Sequence, residues 1–144
     1  MRGDLILMQS LGCLTDLVAR LGEENQEQIV AALLLTLRVP SKKDGFSYLV
    51  WAVQHYRKDP YQSVTKELYP SVAARFGPRL KGNAVEKSIR VAIDQAWRDC
   101  DEETWKLFFP APGDLWARPS NTEFISRLAW LLELWLASRE SKVG

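Results

Sequence analysis

The feature that most constrains this chain is a break between two helical patterns. Thr65 to Phe76 reads TKELYPSVAARF, a short helical stretch. Gly77-Pro78-Arg79-Leu80-Lys81-Gly82 follows. This segment cannot be helical throughout, because proline lacks an N–H and glycine is a weak helix former. Asn83 then stands where an N-cap is wanted, and Glu86 completes a capping-box pattern. At about 100° per residue, Val85, Ile89, Ala92, Ile93 and Ala96 share one face of a helix Ala84–Arg98, with Trp97 at its edge. Lys87, Val91, Asp94 and Arg98 point the other way, with Glu86 and Arg90 to one side. A short helix, a tight turn and an amphipathic helix with a free charged face form the helix-turn-helix pattern. The major groove of DNA is wide enough to take such a helix.

The charge distribution agrees with this. The 144 residues carry a net charge of only +1, which argues against bulk attraction to polyanions. Residues 57–98, however, hold nine basic and four acidic side chains, while residues 1–40 are net −2 and residues 99–144 net −3. The positive charge is concentrated where the proposed reading unit lies, although a solvated basic face has the same composition.

The rest of the chain reads as helical scaffold. Apolar residues at 5, 7, 8, 11, 14, 17, 18 and 21 predict a first helix, either a lid or an oligomerisation element. Residues 28–38 predict a second, apolar almost all round and central to the core, which stops before Pro40. Pro40–Gly45 reads as a turn, and Phe46–Lys58 as a helix ended by Asp59-Pro60. Ser63 is placed to cap Val64–Tyr69, and Pro70 to open the next helix. Asp101–Phe109 predicts a short helix, and Ser120-Asn-Thr-Glu123 caps a last one. On that helix Ile125, Leu128, Ala129, Leu132 and Leu136 form the core face. Trp130 and Leu134 lie roughly opposite, where they are candidates for a protein interface. The expectation is an all-α, compact bundle of about seven to eight helices containing a helix-turn-helix. Residues 1–38 would form a helical extension packed on or next to a domain spanning 39–144.

Catalysis is not expected. Cys13 and Cys100 are isolated, His55 is the single histidine, and no metal-spaced cluster or phosphate-cradling loop occurs. Asp101-Glu102-Glu103 is accounted for by a helix N-terminus. Neither metal nor cofactor is expected. The N-terminal run is unlike a signal peptide and no apolar run is long enough to span a membrane, so the expectation is a cytoplasmic chain with no membrane partner.

Four stretches carry a family resemblance: VPSKKDGFSYL (Val39–Leu49), SVTKELYPSVAARF (Ser63–Phe76), VEKSIRVAIDQAW (Val85–Trp97) and ARPSNTEFI (Ala117–Ile125). In order and content they resemble the C-terminal DNA-binding effector domain of the stage-zero sporulation response regulator. The resemblance implies an all-helical DNA-binding domain that binds promoter boxes, often as tandem copies, and contacts RNA polymerase. It implies that Glu86, Lys87 and Arg90 read bases. Arg75, Arg79, Lys81 and Asn83 are assigned to phosphates, from their charge or their place at the helix start. Only 38 residues precede the matched stretch, too few for a receiver domain, so phosphoryl control of the usual kind is not expected in this chain. The turn GPRLKGNA is longer than the family's, and Ala84 and Val91 stand where the family is more polar and basic. These departures imply altered base readout. They also raise the alternative of a receiver-less interaction module, a homo- or heterodimer or a modulator of a full-length family member, with weakened DNA binding.

Overall fold

The computed structural model describes residues 26–143, with side chains through 137. The expected helix at residues 5–21 lies outside the described part. The described residues form α1 (Gln26–Thr36), α2 (Asp44–Lys58), α3 (Tyr69–Phe76), α4 (Gly82–Asp99), α5 (Glu102–Phe108) and α6 (Asn121–Val143). A π-helical turn, Val64–Leu68, runs straight into α3, and one 3-10 turn, Pro112–Asp114, follows α5. The all-helical expectation holds, with six α-helices in the described part.

Helix α2 is the hub, packing against α6, α4 and α1. Leu49, Ala52 and Val53 are fully buried on it, and Tyr48 and Val50 nearly so. Helix α1 adds Ile29, Val30, Leu33 and Leu34 to the same core, but Leu35 is 52% exposed. So α1 lies against the core on one side, although its sequence is apolar almost all round. It ends in a Schellman motif, with Val39 N–H on the Leu34 carbonyl (2.9 Å) and Arg38 N–H on that of Leu35 (3.0 Å). Arg38 takes the left-handed position, φ 65°, that glycine usually fills.

Gly45, expected in a turn, is the second residue of α2. The backbone there lies directly on the middle of α4. A Cβ on Gly45 would press into the Ser88 carbonyl oxygen and sit 2.8 Å from the Ala92 Cβ. The absence of a side chain is what lets the two helices touch.

Ser63 caps the next segment as expected, its Oγ accepting from Lys66 N–H at 3.1 Å. The Glu67 carboxylate accepts in return from Ser63 N–H at 3.3 Å. This is a capping box widened by one residue, because the turn is π-helical. The cause is Pro70. In a regular α-helix its ring would clash with the carbonyl four residues back, and it has no N–H to donate. A wide turn before it relieves both. Pro70 consequently sits second in α3 and not first.

A tight aromatic group closes the far end of the bundle. Trp105, Phe109 and Phe124 lie with ring centroids 5.0 to 6.2 Å apart. The Trp105 indole N–H donates to the Ala117 carbonyl at 3.1 Å. Ser120 caps α6 through Glu123 N–H (3.1 Å), as expected, and Asp101, expected as the first residue of α5, instead caps it through Thr104 N–H (2.9 Å). Of the expected α6 core face, Ile125, Leu128, Ala129 and Leu132 are buried and Leu136 is partly buried; Phe124, Leu131 and Trp135 join them.

Gly45→Ala should destabilise the fold by about 1–3 kcal/mol, the usual cost of overpacking. Urea titration of both proteins measures it. Cys100 supplies a pH test. Burial, helped by the Asp101 carboxylate and opposed by Arg38, pushes its thiol up from 9.0 to about 11. The unfolded chain therefore loses this proton first as pH rises. The thiol's contribution to stability is complete below pH 9 and is lost as pH climbs toward about 11. In Cys100→Ala, urea midpoints across that window should decline less steeply than in the parent.

Candidate nucleic-acid interface

Helices α3 and α4 and the residues between them form the expected helix-turn-helix; the two helices pack together, with Val72 and Ala73 buried on α3 and Val85, Ile89, Ala92, Ile93 and Ala96 buried on α4. Helix α4 starts two residues earlier than expected, at Gly82, with Lys81 as an N-cap that makes no side-chain bond. Asn83 is thus the second helical residue and caps nothing, so the capping box with Glu86 does not form. Packing decides this start. A Cβ on Gly82 would lie at van der Waals distance, 3.5 Å, from Pro70 and from the Tyr69 Cβ, so the first turn of α4 rests on the first turn of α3.

The outward face of α4 presents Asn83, Ala84, Lys87, Arg90 and Val91, all exposed. Arg79 and Lys81 are exposed in the turn. Glu86 is half-buried, and its carboxylate lies 3.4 Å from Arg90 Nε across one helical turn. An exposed pair of this kind adds only about 0.2–0.5 kcal/mol. Its effect is to aim Arg90. Among the described residues, Arg79, Lys81 and Lys87 pair with no carboxylate. Arg75, the fourth expected phosphate contact, is exposed but stacks on α2, its guanidinium carbon 4.9 Å from the Trp51 ring centroid.

Two residues important to this surface escaped the sequence reading. Arg118, between α5 and α6, donates to the Asp94 carboxylate, to the Pro119 carbonyl and, at 3.2 Å, to the Arg90 carbonyl. It cancels the one carboxylate that the sequence places on the outer line of α4. Beside it, Trp116 stacks on Trp97 with centroids 4.7 Å apart. Asn121, the first residue of α6, donates 3.2 Å bonds both to the Tyr69 hydroxyl and to the Glu86 carbonyl. One amide thereby ties α6 to both helices of the unit. Burial pushes the Tyr69 hydroxyl pKa up, and the Asn121 bond opposes that shift. ARPSNTEFI carried both Arg118 and Asn121, but the sequence holds no signal for what they would touch.

Trp130, 43% exposed, lies on α6 with the Arg127 guanidinium carbon 4.8 Å from its ring centroid. Leu134 is half-buried. No described helix is long and apolar enough to cross a membrane.

The family described as "Sporulation initiation factor Spo0A C terminal" matches residues 30–132. The chain belongs to this family. The matched range runs from the second turn of α1 into α6 and takes in the whole helix-turn-helix with Arg118 and Asn121. As a Spo0A C-terminal domain, the chain is a DNA-binding effector domain of a sporulation regulator.

In urea titrations Asn121→Ala should cost about 1–3 kcal/mol, because it removes the amide bond to the buried Tyr69 hydroxyl and the added bond to the Glu86 carbonyl. Tyr69→Phe should cost about 1 kcal/mol. The double variant should fall short of the sum by at least about 0.5 kcal/mol, since both changes break the same bond.

Proposed function

We propose that this domain reads promoter DNA with α4 in the major groove. The observation that carries this is the cluster of exposed cations without carboxylate partners, Arg79, Lys81 and Lys87, on the turn and outer face of one helix-turn-helix. Lys87 and Arg90 donate to guanine O6 and N7, the commonest specific contact. Glu86 holds Arg90 in register and offers an acceptor toward a cytosine amino group. Arg75, Arg79 and Lys81 hold phosphates, as does Asn83, whose place in the first turn of α4 adds backbone N–H groups for the same anion. The domain therefore acts as a transcriptional regulator whose affinity combines a salt-sensitive backbone grip with a few base contacts.

A second surface belongs to protein contact. Exposed Trp130 with its stacked arginine is an aromatic–arginine pair of the kind enriched in interfaces. We assign it to a neighbouring protein, either a tandem copy on the DNA or RNA polymerase. A domain that used this surface alone would be an interaction module without DNA reading, and light scattering with and without promoter DNA separates the two.

Lys87→Ala and Arg90→Ala should each weaken binding to a selected promoter site by about 1–3 kcal/mol and relax its sequence preference. Lys81→Ala should weaken binding to all sequences alike and reduce the slope of log affinity against log salt by about one. Fluorescence anisotropy titrations at several salt concentrations measure both. Unchanged affinity and preference in the Lys87→Ala, Arg90→Ala double variant would overturn the base-reading assignment.

A further inference from the structure

Val91 is unlike its neighbours on the outer face of α4. It is 45% exposed, one helical turn from Lys87 and next to Arg90. A single exposed valine is ordinary on a protein surface. This one lies in a shallow cleft of about 210 Å³ between α4 and the start of α2, lined by Lys43, Asp44, Gly45, Lys87, Ser88 and Val91. The cleft exists because Gly45 has no side chain, so the start of α2 lies against Ser88. Two ammonium groups and one carboxylate stand on its rim, and the valine supplies its apolar part. An occupant must therefore offer a small apolar group on an anionic frame.

Thymidine in a DNA strand has this chemistry. Its 5-methyl is the one apolar group on a base edge in the major groove, and small apolar side chains contact it. We infer that Val91 is a specificity-determining residue that reads a thymine methyl, with Lys43 and Lys87 flanking the strand that carries it. The inference rests on α4 entering the major groove. One helical turn is about 5.4 Å and one base step about 3.4 Å, so the thymine lies one or two base pairs from the guanine read by Lys87. Base reading on this helix is thus divided between a cation for guanine and an apolar group for thymine. An apolar residue at this position shifts the preferred sequence without abolishing preference.

Replacing thymine by deoxyuridine removes the methyl and nothing else. The experiment uses the full chain and a duplex that it selects from a random pool, with deoxyuridine placed at one thymine position at a time. At one position, within two base pairs of the guanine whose replacement is tolerated by Lys87→Ala, affinity should fall about fourfold, the value of one buried methyl. Val91→Ala should bind the thymine duplex correspondingly less well and should not distinguish thymine from deoxyuridine there. Circular dichroism and urea midpoints confirm that this exposed-site variant is folded. If the wild-type chain binds DNA in a Lys87-dependent way but no deoxyuridine position matters, the Val91 assignment is wrong while DNA reading stands. A methyl effect that persists in Val91→Ala also overturns it. If no duplex is enriched at all, the DNA-reading proposal fails and this assignment fails with it.

Discussion

The double hydrogen bond from the Asn121 amide is the interaction on which the geometry of the helix-turn-helix depends. Its two acceptors lie on different helices, the Tyr69 hydroxyl at the start of α3 and the Glu86 carbonyl in the first turns of α4. A helix-turn-helix places its reading face through the angle and offset between its two helices. Here both are fixed by a residue of a third helix, in a site where loss of the bond deprives the buried Tyr69 hydroxyl of the Asn121 amide. The α3 side is shaped further by Pro70, which widens the turn before it. The α4 side starts at Gly82, which lies beside Pro70 and Tyr69 in the first turn of α3. Three small sequence features thus act on the same junction.

The hub helix α2 supports this junction from behind. Its close approach to α4 at Gly45 sets the depth at which that helix is seated. Its Trp51 and Tyr48 rings receive Arg75 and Phe76 from the end of α3. Polar and aromatic contacts therefore surround the apolar core of the unit. The core supplies most of the stability, as burial does in any domain of this size, and the contacts around it determine a single arrangement of the helices.

Periodicity made the helices legible, and the amphipathic stripe of α4 was read almost residue by residue. Caps that depend only on neighbours in sequence were legible too, as Ser63 and Ser120 show. The cap expected at Asn83 failed because a tertiary contact between Gly82 and the first turn of α3 moved the helix start. Gly45 looked like a turn residue, since nothing in its neighbourhood reports that another helix will lie on it. Arg118 and Asn121 could be seen as part of a family-like stretch, but their partners are 24 to 52 positions away. Contacts at such range leave no local pattern. The reading face itself was legible as a set of outward residues. The cleft beside Val91 was not, because half of it comes from α2.

The bond from Arg118 to Asp94 has a consequence for what counts as the functional unit. Transplanting residues 65–98 alone onto another scaffold would carry the stripe, the turn and the cations. It would also carry a bare carboxylate on the face meant for a polyanion, and a helix pair without its tie to Asn121. The smallest portable piece therefore extends to at least residue 121. The segment between α5 and α6, which resembles a mere connector, thereby sets the charge of the outer face of α4, and moving α4 to another scaffold requires moving this strap with it.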